Sequence, residues 1–306
     1  MARQVGRVQA RFEYTGIAAV VAAMRAMPLA RAVRAGAGIG AIAMKLDRPN
    51  RPIAQKNLAI AFPEKTEAER LLILRGMYRN WGRMLAEWTH FDKLSRANIA
   101  KVTVYSGEEN WQIAEEMSGG RGLFVLTAHF GNFELMQLAH SIYGYHIAIV
   151  HRPLRNPLVD AAVCEARVKF GNRVIPRKAG ARDMLKLLRQ NWMIAIALDL
   201  DVRQGVFVDF FGLPASTSDS VARLAMRTGA PVVPCFMVRE GDSVHHRLEI
   251  HRPIELVTGP DREVAVRENT QLFTTEIESM IRKHPDHWNW IHRRWKTRPP
   301  GEHRFY

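Results

Sequence analysis

The segment Thr127-Ala-His129-Phe-Gly-Asn-Phe-Glu134 follows directly on an apolar run, Gly122 to Ala128, that reads as a buried strand. A histidine at a strand's C-terminal end, followed by Gly-Asn, sits in a turn. Ligand and catalytic groups gather at such turns in α/β folds. His129 and Glu134 are five apart, so on one continuous helix they would point about 140° away from each other. If Gly131 and Asn132 make the turn and a helix starts at Phe133, Glu134 can fold back toward the ring. A carboxylate on one imidazole nitrogen leaves the other free to take a proton from a hydroxyl. The chemistry expected is general-base activation of a substrate hydroxyl, with no enzyme nucleophile. The dyad alone is a weak signal, because a lone histidine is commonly a hydrogen-bonded structural residue.

The elements around it must hold it in place. Residues 64–92 carry Leu71, Leu72, Leu74, Met77, Trp81, Leu85 and Trp88 at helical spacing, and residues 133–142, 158–170 and 180–190 also read as helices. Ile147 to Val150, Trp192 to Leu198 and Val206 to Phe211 read as strands. Ser216, Thr217 and Ser218 offer helix caps, Gly229 a helix stop, and Pro231-Val-Val-Pro234 the start of a strand. Strand–helix alternation over 120–255 predicts an α/β fold: a mixed, mostly parallel central sheet flanked by helices, behind a helical N-terminal region. Residues 1–45 are expected to form a basic, apolar segment at a membrane interface. Residues 46–306 are expected to form a single domain with a helical cap at 46–100.

Several ordered blocks extend the motif. They are Lys56-Asn-Leu-Ala-Ile-Ala-Phe-Pro63, His151-Arg-Pro153 with Asn156-Pro157, Ile175-Pro-Arg-Lys178, Phe210-Phe-Gly-Leu-Pro-Ala215 and Trp290-Ile-His-Arg-Arg-Trp-Lys-Thr-Arg-Pro299. With His129-Phe-Gly-Asn-Phe-Glu134, this set resembles the bacterial lipid A biosynthesis acyltransferases, members of the wider glycerolipid acyltransferase group. One position departs from the pattern: Leu200 follows Asp199 where the family usually has Gln.

The resemblance implies transfer of an acyl chain from a thioester, on acyl carrier protein or coenzyme A, to a hydroxyl of a membrane glycolipid. A lipid A precursor is the expected acceptor, with another glycolipid such as a phosphatidylinositol mannoside, or a lysophospholipid, as the alternative. It implies His129 as base, with Glu134 fixing its tautomer, and no metal or cofactor. It places the enzyme on the cytoplasmic face of the inner membrane. Substrate contacts are expected from Asn132, Arg152, Arg177, Lys178, Asp199, Phe211 and Gly212. Of these, Arg152 would face phosphate or a developing oxyanion, and Arg177 and Lys178 a phosphate. Asp199 would orient a substrate or Arg152, and Phe211 and Gly212 would wall an acyl channel.

Charge suggests partners. The chain has 306 residues and a formal net charge of +14, from 44 Lys and Arg against 30 Asp and Glu. Residues 1–34 and 282–306 each carry a net +5. Such a balance suits a polyanion: nucleic acid, an anionic membrane or an acidic carrier protein. No helix-turn-helix, RNA-recognition or zinc-finger pattern is present, so nucleic acid is not expected. Two cysteines, Cys164 and Cys235, exclude a disulfide scaffold. Residues 15–44 are mostly apolar, but Arg25, Arg31 and Arg34 interrupt them. Burying those at a bilayer centre would cost about 2.5–3.5 kcal/mol each, so an interfacial segment is expected rather than a span. The tail, with Trp288, Trp290 and Trp295 among basic residues, is also expected at the membrane interface. His245-His246 is expected in a solvated turn.

Overall fold

The computed structural model describes residues 5–176 and 180–306. The predicted fold class is observed. Strands β1 (Thr103–Ser106), β2 (Leu123–Thr127), β3 (Ile147–His151), β4 (Arg173–Pro176), β5 (Met193–Ala197), β8 (Val232–Arg239) and β9 (His246–Ile250) form one sheet, in the order β1-β9-β8-β2-β5-β3-β4. All neighbours are parallel except β8 and β9. Every residue of β2 and of β8 is buried, as expected for central strands covered on both faces.

Two cores fill those faces. On one side, α5 (Glu108–Ser118) and α6 (Phe133–Ile142) supply Trp111, Ala114, Leu135 and Met136. On the other lie α3 (Arg51–Ala61), α8 (Gly180–Leu188), α9 (Ser220–Thr228) and α10 (Arg262–Lys283), whose Leu58, Leu187, Leu224 and Phe273 meet Phe124 and Phe236 of the sheet. The run 206–211 is a strand, but it leaves the main sheet. β6 (Val206–Phe210) and β7 (Leu213–Thr217) form a separate antiparallel hairpin. That hairpin takes up Ser216 and Thr217, so neither caps a helix; at the start of α9 Ser218 Oγ accepts from Ser220 N at 3.5 Å, while Asp219 makes no side-chain cap.

The tryptophans of the tail are not at a surface. Trp288, Trp290 and Trp295 are wholly buried: Trp288 and Trp290 pack edge to face on each other and on Phe210 and Phe62, and Trp295 lies tilted against Phe210. Burial of such large rings outweighs the signal from their basic neighbours. Arg294 is buried with them; it lies 5.0 Å from the Phe210 ring and donates to Ser216 O and Thr217 Oγ1. His246 is likewise buried, in β9 rather than a turn, and burial pushes its imidazole down to about 4.

The helical N-terminal region comprises α1 (Arg7–Arg25), α2 (Leu29–Leu46), α3 and α4 (Glu67–Trp88). Thr66 and Glu69 cap α4 reciprocally. α2 docks on α4 through small residues. A Cβ on Gly36 would sit 2.3 Å from Gly82 O, and one on Gly40 would sit 2.0 Å from Tyr78 O. Half of the expected interfacial segment is thus packed on the protein itself. α1 differs: it buries only Ala10 and Met24 and exposes Val8, Phe12, Ile17 and Val20. Among the described residues no helix is long and apolar enough to cross a membrane.

Candidate active site

His129 lies two residues beyond the end of β2. Parallel pairing of β2 with β5 sets Thr127 opposite Ala197. Two residues further on, the same register brings His129 to Asp199. The ring Nδ1 lies 2.9 Å from Asp199 Oδ1, and the His129 backbone N–H donates to Oδ2 at 2.9 Å. The Trp288 indole N–H donates to the same Oδ2 at 2.8 Å. Asp199 is fully buried, whereas the His129 side chain is 32% exposed.

These contacts set both protonation states. Burial alone would push the Asp199 carboxyl up. The His129 charge and ring, the His129 backbone N–H and the Trp288 indole overcome it, and hold the group well below the usual carboxylate range. Burial would likewise push His129 down. The charge and hydrogen bond of Asp199, then the charge of Glu134, overcome it and raise the imidazole above 6.5. An ionised Asp199 can only accept, so Nδ1 carries the proton and Nε2 presents a lone pair.

The carboxylate on the imidazole is therefore Asp199, not Glu134 as expected. Among the described residues no hydrogen bond joins Asp199 to Arg152; its oxygens accept from His129 and Trp288. The helix does begin at Phe133, which places Glu134 in its first turn. From there Glu134 faces α7 (Pro157–Val168), where Arg167 donates to both of its oxygens. The remaining Arg167 nitrogen donates to His151 Nδ1 at 2.9 Å. Because guanidinium cannot accept, His151 must carry its proton on Nε2, which then donates to Asp160 Oδ1 at 2.8 Å. The chain Glu134–Arg167–His151–Asp160 braces the far side of the site, and the Arg167 and Glu134 side chains are only 14% and 12% exposed. Asp160, Cys164 and Arg167 share one face of α7 at helical spacing. His151, Asp160 and Cys164 bring ligand atoms within 4.8 Å of one another. Both ring nitrogens of His151 are already engaged, however, and the Arg167 cation abuts them, so the donor set does not suit a metal ion.

The turn itself is clamped from two directions. Gly131 N donates to His287 O at 2.9 Å, and Asn289 N donates to His129 O at 3.2 Å. Gly131 has φ 54°, and a Cβ there would lie 1.8 Å from Met237 O. Only glycine fits that approach. Asn132, expected at the substrate, is buried and spent elsewhere. Its Oδ1 caps α6 by accepting from Leu135 N, and its Nδ2 donates to Glu87 Oε2 at 2.7 Å. Glu87 is in turn paired with Arg239 of β8, both side chains buried. The inward face of α4 is therefore mixed: Leu74 and Met77 of the expected stripe are buried beside Asn80, Arg83 and Glu87, whereas Leu71, Leu72 and Leu85 are exposed.

The other expected residues fall as follows. Arg152 is exposed just past β3 and makes no ion pair among the described residues. Phe211 packs in the core against Phe62 and Trp290, under the Arg282 guanidinium. Gly212, φ 77°, makes the exposed hairpin turn between β6 and β7. Arg177 and Lys178 lie outside the described residues. Sequence reasoning missed Arg167, His151, Asp160, Trp288 and the Glu87–Arg239 pair. Only the polar spacing along 160–167 offered a local signal.

Comparison with known proteins adds a separate observation. Residues 7–297 match the family model described as bacterial lipid A biosynthesis acyltransferase. The chain is 30% identical to the lipid A biosynthesis lauroyltransferase of Escherichia coli K12 over 276 residues, 88% of this chain and 86% of the relative. It is 27% identical to the lipid A biosynthesis myristoyltransferase of the same organism over 270 residues, 87% and 81% of the two chains. A lipid A biosynthesis acyltransferase of Haemophilus influenzae is 26% identical over 257 residues, 83% and 78%.

Proposed function

The chain belongs to the bacterial lipid A biosynthesis acyltransferase family, and from that premise we propose that it moves a fatty acyl chain from a carrier-bound thioester to a hydroxyl of a lipid A precursor, with His129 as the general base and Asp199 as its partner. The observation that carries this reading is the Asp199–His129 contact at a strand end, which leaves Nε2 open to a proton.

The steps balance on these groups. Nε2 takes the acceptor's hydroxyl proton as its oxygen attacks the thioester carbonyl carbon. The imidazolium that forms is held by Asp199. The tetrahedral intermediate collapses, the carbon–sulfur bond breaks, and the departing thiolate takes the proton back from Nε2. General-base assistance of this kind is worth about 10²–10⁴-fold in rate. Glu134 acts here through Arg167 and through space, as a second negative charge that favours the imidazolium. Arg152, exposed beside the site, is the cation proposed for the developing oxyanion. Acyl carrier protein is the proposed donor, since an acidic carrier suits a chain of net charge +14.

The reading includes a membrane seat. α1 is apolar over Ile17 to Met24, yet most of it is left uncovered by the described residues. A helix this apolar needs a cover, and a lipid surface supplies one. α1 is also tied to the catalytic end of the sheet. Val5 N donates to Arg155 O, and Asn156 Nδ2 donates to Ala10 O and Glu13 Oε2, both from the loop that follows β3. The acceptor would then reach His129 from the bilayer without leaving it.

The test is a transfer assay with the purified chain, acyl carrier protein loaded with labelled fatty acid, and membrane glycolipids as acceptors. A lipid A precursor that gains one acyl unit, seen by mass spectrometry, supports the reading. Transfer only to another glycolipid would move the acceptor, and no transfer to any would overturn it.

A further inference from the structure

The tail expected at the membrane builds something else. Residues after Trp295 turn back over the loop that follows Asp199, and between them lies a cavity of about 510 Å³. That volume is in the range of small-molecule clefts, about 300–1,000 Å³. Its lining includes Arg203, Lys296, Arg298 and Arg304 against Asp201 and Glu302. The two carboxylates are spoken for. Asp201 accepts from Thr297 N and Thr297 Oγ1 at 2.9 and 3.0 Å, and Glu302 takes Arg298. Among the described residues no carboxylate pairs with Arg203, Lys296 or Arg304. The Arg298 side chain is only 5% exposed, and its Nε is buried without a partner. Its terminal nitrogens are engaged, one by Pro214 O and the other by Glu302, so the cations the cavity offers an anion are Arg203, Lys296 and Arg304. The pocket is also fixed to the catalytic end. Asp201 is two residues past Asp199, and its backbone N–H donates to His292 Nε2 at 2.9 Å.

We propose that this pocket binds a phosphate ester on the sugar headgroup of the acceptor glycolipid, and so positions its hydroxyl at His129. The inference deepens the acyltransferase reading and rests on it. Three cations on one cavity without a carboxylate partner among the described residues fit a phosphate dianion, for which guanidinium forks are matched in geometry. The pocket's volume fits a phosphorylated sugar, whereas docking of a whole carrier protein needs about 800 Å² of surface per partner.

The experiment uses the full chain, the double variant Arg203→Ala/Lys296→Ala, and the single variant Arg304→Glu as a second check on the same pocket. First, inorganic phosphate is titrated against each and followed by ³¹P line broadening. Broadening in the wild type that is lost in both variants supports the pocket. Equal broadening in all three, or none in the wild type, overturns it. Second, KM is measured for the phosphorylated acceptor and for the same acceptor after phosphatase treatment. In the wild type the phosphate-free acceptor is expected to bind on the order of 10–100-fold more weakly, as for loss of a charged hydrogen-bonding group. In the variants that ratio is expected to fall toward one. A rise in KM common to both acceptors, or confined to the thioester donor, overturns the assignment. Failure of the wild type to transfer any acyl group would instead count against the functional reading, and the phosphate titration would still decide the pocket.

Discussion

Asp199 accepts three hydrogen bonds, two from His129 and one from Trp288, so a single buried carboxylate fixes the ring's tautomer, its orientation and part of the turn that carries it. Glu134, in contrast, touches Arg167 and reaches the imidazole only by charge. The two acids should therefore separate in a pH–rate profile. The base must be neutral to act, and its folded value is raised above 6.5, so activity should fall as pH drops through a value above 6.5. Glu134→Gln should move that acid limb slightly downward. Asp199→Asn should move it further down, because burial, which lowers the imidazole's value, is then left with less to oppose it. A larger displacement in Glu134→Gln than in Asp199→Asn would contradict this division of roles. His129 was legible in the sequence, because a buried run followed by His-x-Gly-Asn marks a strand end. Its partner was not legible. Asp199 was named only through the family resemblance, as a substrate contact, and it is the register of β2 against β5 that sets it beside the imidazole.

The strands and helices that position these residues follow from period and punctuation, and most were readable. What their packed faces hold was less so. The spacing of α4 suggested an apolar stripe, and Leu74 and Met77 are buried as that stripe requires, but the same inward face also carries Asn80, Arg83 and Glu87. Glu87 and Arg239 are both buried and hold Asn132 at the start of α6. Glu87→Gln leaves the Arg239 cation without its carboxylate. A loss of about 3–5 kcal/mol in unfolding free energy is expected, as when one partner of a buried pair is removed. Chemical denaturation would measure it. A loss below about 1 kcal/mol, the scale of an exposed pair, would show that the network does not anchor the turn. The tryptophans of the tail misled for a related reason. Tryptophan beside arginine suits both an interface and a core, and only tertiary packing against Phe62 and Phe210 decides.

At the scale of the molecule, the +14 charge divides into parts with different surroundings. Arg294 is buried among aromatic rings, Arg167 and Arg239 sit in ion pairs, and Arg203, Lys296 and Arg304 face one cavity. What is left for a membrane is chiefly α1, whose exposed Phe12 and Ile17 lie on a helix with Arg7, Arg11 and Arg25. Binding to anionic phospholipid vesicles is expected for the wild type. Phe12→Glu/Ile17→Glu should weaken it about tenfold or more, since two buried apolar side chains are worth about 1.5–3 kcal/mol each. Sedimentation with vesicles would report it, and unchanged binding would place the lipid contact elsewhere.

The most direct test of the catalytic account is the single-turnover rate of acyl transfer from acyl carrier protein to a lipid A precursor, compared between the wild type, His129→Ala and Asp199→Asn. The account predicts that His129→Ala loses the contribution of a general base, about 10²–10⁴-fold, and that Asp199→Asn retains only part of the wild-type rate while the fold stays intact. Transfer at the wild-type rate in either variant would contradict it.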